Sequence, residues 1–349
     1  MGRQEVLSKV VLVSFISLIF LAAVGPALAG DGQIDIASLP YTISSSGSYV
    51  VVDNITLSTQ NTHGITISAN NVTLDLNGHT LTGPGKAAGS SGSGIYVGST
   101  RYNIVVKNGT MRDWRWQGVE AYNGLNCIFE DLIAYNNGNY GISAGSSALI
   151  RGNVCRENGS TGIYAISSVG DCVISDNVCY YNGYDGISAY RATVTNNVCT
   201  SNTNHGMSIK GPSTVIGNNC SQNSMVGIMA NSPGGVLIEN NVCNLNLREG
   251  ITLNGSGSRV VGNTCNSNGW YGINSQDAGG DVIQNNLVVD NVTYGIRSTT
   301  ACFVAGNRAS GNGTDYLLTG VFGTTFGQIV DMTAGGTIAT TDPYANFRF

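Results

Sequence analysis

The chain has 349 residues, of which only 11% are charged; 16 Lys and Arg stand against 21 Asp and Glu, for a net charge of −5. Ordinary globular proteins carry roughly 25% charged residues, and here Asn, Ser, Thr and Gly take the surface instead. No basic stripe marks the chain as a nucleic-acid binder, and the surface suits hydrogen bonding to neutral or weakly charged partners.

Residues 1–29 carry Arg3 and Lys9, then an apolar run over 10–24, then Ala27-Leu28-Ala29 before Gly30. That small-residue pattern is the one found at a secretory cleavage site. The apolar run is short for a membrane anchor and is interrupted by Ser14 and Ser17. The expectation is a cleaved signal peptide, no membrane span afterwards, and a secreted, periplasmic or cell-surface protein.

Residues 30–60 contain the strand-like runs Tyr49-Val50-Val51-Val52 and Ile55-Thr56-Leu57 without any repeated phrase. They are expected to form an N-terminal cap, because a bare terminal rung of a stacked core would expose apolar side chains and unpaired backbone.

From 61 to 318 one phrase keeps returning. Asn153-Val154-Cys155-Arg156-Glu157-Asn158-Gly159-Ser160-Thr161-Gly162-Ile163 is followed by Asn177-Val178-Cys179-Tyr180-Tyr181-Asn182-Gly183-Tyr184-Asp185-Gly186-Ile187. Its last Gly recurs from Gly64 to Gly295 at intervals between 20 residues (Gly186 to Gly206) and 30 (Gly64 to Gly94). A period of this size marks a solenoid, whose repeats bury their apolar faces only by stacking. Gly, Asn, Ser and Thr break every apolar run after a few residues, which rules out helical repeats. Each repeat therefore reads as three short strands, over 162–166, 172–175 and 178–181 in one coil. The fold class is all-β, a parallel β-helix of about a dozen coils, with a loop inserted at 86–93 and a C-terminal cap over 319–349 in which Phe347 or Phe349 folds over the last rung.

Within the coils the residues form columns. Cys155, Cys179, Cys199, Cys220, Cys243 and Cys265 share one, and Val106, Phe129, Ile150, Ile174, Val194, Val215 and Ile238 begin another; both must point inward. Rungs about 4.8 Å apart lie inside the Cα window for disulfides, but parallel Cβ vectors keep that same separation, longer than bridged Cβ atoms prefer. The nine cysteines are expected to be free thiols acting as small hydrophobes. A straight column cannot surround one metal ion tetrahedrally, so no metal is assigned. Two asparagine columns, one from Asn153 to Asn307 and one from Asn137 to Asn312, are expected to pass hydrogen bonds from rung to rung while tolerating left-handed turn angles. Several of the eight Asn-x-Ser/Thr sequons fall in these columns and read as turn chemistry.

This phrase and its asparagine ladders resemble the right-handed parallel β-helix repeat of the pectin-lyase-like superfamily, over roughly 60–319. Leu39-Pro40-Tyr41-Thr42-Ile43-Ser44 and Leu74-Asp75-Leu76-Asn77-Gly78-His79-Thr80-Leu81 resemble the starts of exported bacterial β-helix proteins. The superfamily includes polyuronate lyases, polygalacturonases, uronan epimerases and non-catalytic surface proteins. The resemblance implies a site on the outer face of the first strand and the turn leading into it.

There the column before each Gly includes Asp185, His205 and Glu249, with Arg248 beside Glu249 and Lys210 ending the strand that His205 begins. An acid, an imidazole and basic side chains along one groove could bind a uronate, with Lys210, Arg248 or His205 as general base beside its carboxylate. Asn204-His205-Gly206-Met207-Ser208-Ile209 resembles a polygalacturonase phrase, but the paired aspartates of that family are missing. Asp185 and Glu249 lie three rungs apart, ~14 Å, where inverting hydrolysis wants ~6.5 to 9.5 Å. No acidic cluster supports calcium. Trp114, Trp116, Tyr140, Tyr164, Tyr184, Trp270 and Tyr271 on the same face are expected to stack on sugars, with Arg297 as a further contact. The expected partner is a polysaccharide or cell-surface glycan, bound and either cleaved by elimination or epimerised. The competing reading is a non-catalytic surface, structural or adhesion protein.

Overall fold

The computed structural model describes residues 32–86, 91–166, 170–276, 279–319, 324–335 and 337–349. The proposed signal peptide and part of the 86–93 loop lie outside the described residues. Every regular element among them is a strand, and every strand pairing is parallel. No helix among them is long and apolar enough to cross a membrane.

One coil shows how the sequence makes the shape. Ile163–Ile166, Cys172–Ser175 and Val178–Tyr180 are its three strands. Alternation along the first sends Ile163 and Ala165 inward and leaves Tyr164 partly exposed, as period-2 geometry requires. In the next coil the same positions pair as Ile163 with Ile187, Cys172 with Ala192 and Cys179 with Cys199. First strands stack into a 13-stranded sheet running from Tyr41–Ile43 to Thr314–Leu318. A right-handed parallel β-helix of about a dozen turns results.

Close approach of the coils fixes the repeating glycine. A Cβ on Gly206 would lie 2.6 Å from the carbonyl oxygen of Gly227 and 2.9 Å from Cys220 Cβ, so no side chain fits without moving backbone. The cysteine column runs through the interior beside it. All nine cysteines are free and buried, and loss of hydration pushes the thiol of Cys199 well above its ordinary value.

Both asparagine columns are continuous hydrogen-bond ladders. Asn182 Nδ2 donates to the Cys155 carbonyl and to Asn202 Oδ1, both at 3.0 Å, while Asn182 Oδ1 accepts the backbone N–H and Nδ2 of Asn158 at 3.2 and 3.0 Å. The left-handed angles sit one residue earlier than the sequence suggested. Asp176, Asn196 and Asn240 (φ 59°, 56° and 54°) precede one ladder, and Glu157, Tyr181 and Leu245 (φ 55°, 52° and 57°) precede the other. A ladder Asn must aim inward and hold two carbonyl directions at once, so its predecessor makes the turn. The price of a left-handed Tyr or Leu is carried by the bonds that lock the next residue.

Parallel pairing extends beyond the repeat phrase at both ends. Ile34–Ile36 pairs with Gly47–Val51 inside the segment expected to be a cap. Asn346–Arg348 pairs with Arg308–Ser310, and the residues it buries are Ala345 and Asn346. Phe349 is 46% exposed and stacks on Phe347 at 6.3 Å, while Phe347 is partly buried with its backbone paired to Arg308. Asn346 Oδ1 accepts from the backbone N–H and Nδ2 of Asn307 at 3.1 and 3.0 Å, which ends the first ladder.

Candidate functional site

The outer face of the 13-stranded sheet is where the regularity stops. Register places Tyr96, Glu120, Ser143, Tyr164, Ser188, Ser208, Met229, Thr252, Asn274 and Arg297 in one outward column. Each coil adds one such side chain and one from the turn before its Gly, so chemistry is set coil by coil.

Five neighbouring coils form a groove of about 600 Å³ whose walls include Tyr164, Tyr184, Asp185, His205 and Lys210. Asp185 is 2% exposed. Its Oδ1 accepts from Asn204 Nδ2 at 2.8 Å and from the His205 backbone N–H at 3.1 Å. Burial raises its carboxyl to about 6, against the opposing pull of those bonds and of the Lys210 charge. His205 Nδ1 accepts the backbone N–H of Val226 at 3.2 Å. Burial, with the Arg248 charge adding to it, lowers His205 to about 4. At neutral pH the ring is therefore uncharged, with Nδ1 occupied and Nε2 carrying the hydrogen. That makes His205 a donor, where the sequence suggested a base.

A second group lies next along the face. Arg248 places its guanidinium 4.2 Å over the Trp270 ring, and one of its nitrogens is 3.5 Å from Glu249 Oε1. The Arg248 guanidinium is thereby held between an indole face and a carboxyl oxygen. Glu249 is 4% exposed and its Oε2 has no hydrogen-bond partner among the described residues; burial raises its pKa while Arg248 and Arg297 oppose the rise. Arg297 donates to Asn274 Oδ1 at 2.8 Å and lies 5.6 Å from the Tyr271 ring centre. Three strand pairings separate the Asp185 and Glu249 coils, so the two carboxyls stand ~14 Å apart by rung height.

The expected aromatics divide. Tyr184 (53%), Trp116 (46%) and Trp270 (45%) are exposed, and Tyr140 and Tyr164 stack at 4.6 Å. Trp114 is wholly buried, its Nε1 donating to the Leu81 carbonyl at 3.1 Å. It cannot meet a ligand. Trp114 stands four residues before Gly118, as Asn137 does before Gly141, so it fills an inward ladder position. The same column arithmetic could have found this in the sequence. Sequence reasoning also passed over Asn204, which positions Asp185, and over Ser188, Ser208, Asn231 and Asn254, which line the groove. Among the described residues no three His, Cys, Asp or Glu side chains are grouped to hold a metal ion.

Solved structures share this architecture. The A-module of mannuronan C-5 epimerase AlgE4 from Azotobacter vinelandii superposes with a TM-score of 0.59 at 15% identity, covering 84% of this chain and 88% of that one. The AlgE6 A-module from the same organism gives 0.57 at 17% identity, covering 82% and 90%. The catalytic unit of a GH87 α-1,3-glucanase from Streptomyces thermodiastaticus gives 0.54 at 12% identity, covering 83% and 64%. No curated protein matches in sequence. The family described as the right handed beta helix region matches residues 41–193 and 162–312. Most of the chain is thus accounted for by that repeat, and the protein belongs to the right-handed β-helix family.

Proposed function

We propose that this protein acts on an extracellular polyuronate in the groove around Asp185, His205 and Lys210, by lyase or epimerase chemistry. The observation that carries the reading is that one open groove gathers a buried carboxyl raised to about 6, a neutral imidazole and a lysine between tyrosine walls. Structures of the same fold include two mannuronan epimerases and a glucanase, which supports a polysaccharide as the ligand class. An amino-terminal leader over 1–29 would place the protein outside the cytoplasm, where such polymers occur.

In this reading Lys210 pairs with the uronate carboxylate and His205 Nε2–H donates to it, which stabilises the charge that develops when the neighbouring C5–H bond breaks. Asp185 takes that proton, since a carboxyl with a pKa near the working pH is an efficient base. The electron pair either expels the C4 glycosidic oxygen, which takes a proton from solvent water in the open groove, or is captured at C5 by a proton from water on the opposite face, Asp185 then returning its own proton to solvent. Tyr164 and Tyr184 stack on the sugar, and Arg248 and Arg297 meet carboxylates further along the chain.

Proton NMR of polygalacturonate and alginate incubated with the protein tests this. New unsaturated or epimerised sugar signals are expected, growing faster as pH rises through about 6 and disappearing in Asp185→Asn. A complete lack of new signals, with selective line broadening of one glycan, would replace the enzyme by a non-catalytic binding protein.

A further inference from the structure

A second cluster that the groove does not use begins six strand pairings before His205 on the same face, with His63 ~29 Å from His205 by rung height and Glu120 two pairings from the groove's Tyr164. His63 is held as His205 is: its Nδ1 accepts the backbone N–H of Ser93 at 3.1 Å, and its ring stacks on Tyr96 at 4.1 Å with the planes 8° apart. With Nδ1 accepting, Nε2 carries the ring's hydrogen. Ser93 Oγ donates to Glu120 Oε2 at 2.6 Å, and Glu120 is only 9% exposed. His63, Tyr96, Trp116 and Glu120 line a pocket of about 180 Å³, with Ser91 and Gly92 completing it.

Three features say what such a pocket takes. The coil does not need a carboxylate here, because Ser143, Ser188, Ser208 and Thr252 occupy the same outward column further along. A desolvated Glu at such a position costs stability and is a mark of function. Among the described residues no Lys or Arg lines the pocket, unlike the groove with its Lys210, so a uronate would meet an acid and no counter-charge there. The volume is below the roughly 300 Å³ at which drug-sized sites begin, which leaves room for about one sugar ring. Beside it stands the indole of Trp116, 46% exposed, a flat apolar surface for the carbon face of a sugar.

Trp116 also shares a column with the groove. Backbone hydrogen bonds link Asn139 to Trp116, Ser160 to Asn139, and Tyr184 to Ser160 at 2.8, 3.0 and 3.2 Å, so Trp116 and Tyr184 stand on one edge of the face, three coils apart.

We propose that this pocket is a second glycan site, separate from the groove, which binds a single neutral pyranose. The Glu120 carboxylate accepts from its hydroxyls, His63 Nε2–H donates to a ring substituent, and Trp116 stacks on its face. The proposal shares with the groove reading only the premise that this face meets glycans, and it requires no turnover.

The test is calorimetry of the full chain with neutral gluco-, manno- and galacto-oligosaccharides and, separately, with oligouronates. At least one neutral oligosaccharide is expected to bind, with affinity falling about tenfold in Trp116→Ala and in the isosteric Glu120→Gln. Lys210→Ala should leave that affinity unchanged. Oligouronate binding should show the reverse, weakened by Lys210→Ala and untouched by Glu120→Gln, which reports on the groove independently. Failure of every neutral sugar to bind would overturn the second site. So would neutral-sugar binding that responds to Lys210→Ala and ignores both pocket substitutions.

Discussion

Asn197 and His205 belong to one coil, and their neighbours in the stack differ in kind. Above and below Asn197 stand Asn177 and Asn218, each making the same bonds, with Asn197 Nδ2 reaching Asn218 Oδ1 and the Ile174 carbonyl at 3.0 Å. Beside His205 in its column stand Asp185 on one coil and Val226 on the next. Between its ends the ladder position must satisfy the coil on either side in a dry interior, which calls for a residue with both a donor and an acceptor pointing along the stack; Trp114 stands at an end, where a donor alone suffices. The groove position answers to solvent and ligand. Repetition along this solenoid therefore reports on stability, and departure from repetition reports on function.

The largest effect is expected at the ladder. Asn197→Ala leaves the Asn177 backbone N–H without its acceptor, strips Asn177 Nδ2 of one of its two acceptors (the Ile150 carbonyl remains), and takes from the Ile174 carbonyl its side-chain donor. Denaturant unfolding should show a loss of about 3–5 kcal/mol, because unpaired buried polar groups in a connected network cost more than single exposed bonds. A loss below about 1 kcal/mol would mean that the amides are not cooperative.

Asp185→Asn should act in the opposite direction on the groove side. The native carboxyl is raised from 3.8 to about 6, so the folded state binds the proton more tightly than the unfolded chain, and its ionisation weakens the fold as pH climbs from about 4 to 6. The variant loses that penalty. Measured against the parent, it should gain up to about 3 kcal/mol between pH 4 and pH 7, while any polyuronate turnover falls at least about a hundredfold. His205, lowered from 6.5 to about 4, gives the parent the reverse slope: stability is lost on acidification through that window, so the two groups largely offset each other until one is removed. A flat difference between variant and parent across pH would show that Asp185 titrates normally.

The smallest effect is expected in the cysteine column. Cys199→Ala removes one small apolar group from a fully buried position, and about 1 kcal/mol should go with it. The column thiols should resist a thiol reagent until the protein unfolds; rapid labelling of native protein would mean that the coils open.

Much of this was legible because a solenoid writes its structure as a period. Coil count, strand triplets, the inward cysteines and both asparagine columns follow from spacing alone, since each position meets its own copy about 4.8 Å away. Trp114 was legible too, through its ladder position. Asn346 was not: it completes the ladder 39 residues after Asn307, across a segment with no repeat length to count.

The sequence by itself therefore determined the architecture, because local alternation and a fixed period leave a chain of short Gly- and Asn-punctuated strands few other ways to bury its apolar face. It also placed Asp185, His205 and Lys210 on that face. Only the tertiary structure decided their chemistry. How deeply Asp185 is buried, which nitrogen of His205 is occupied, and whether Arg248 faces Trp270 or open groove depend on distances between coils, and those distances set the dielectric and the hydrogen-bond partners that fix where a proton resides.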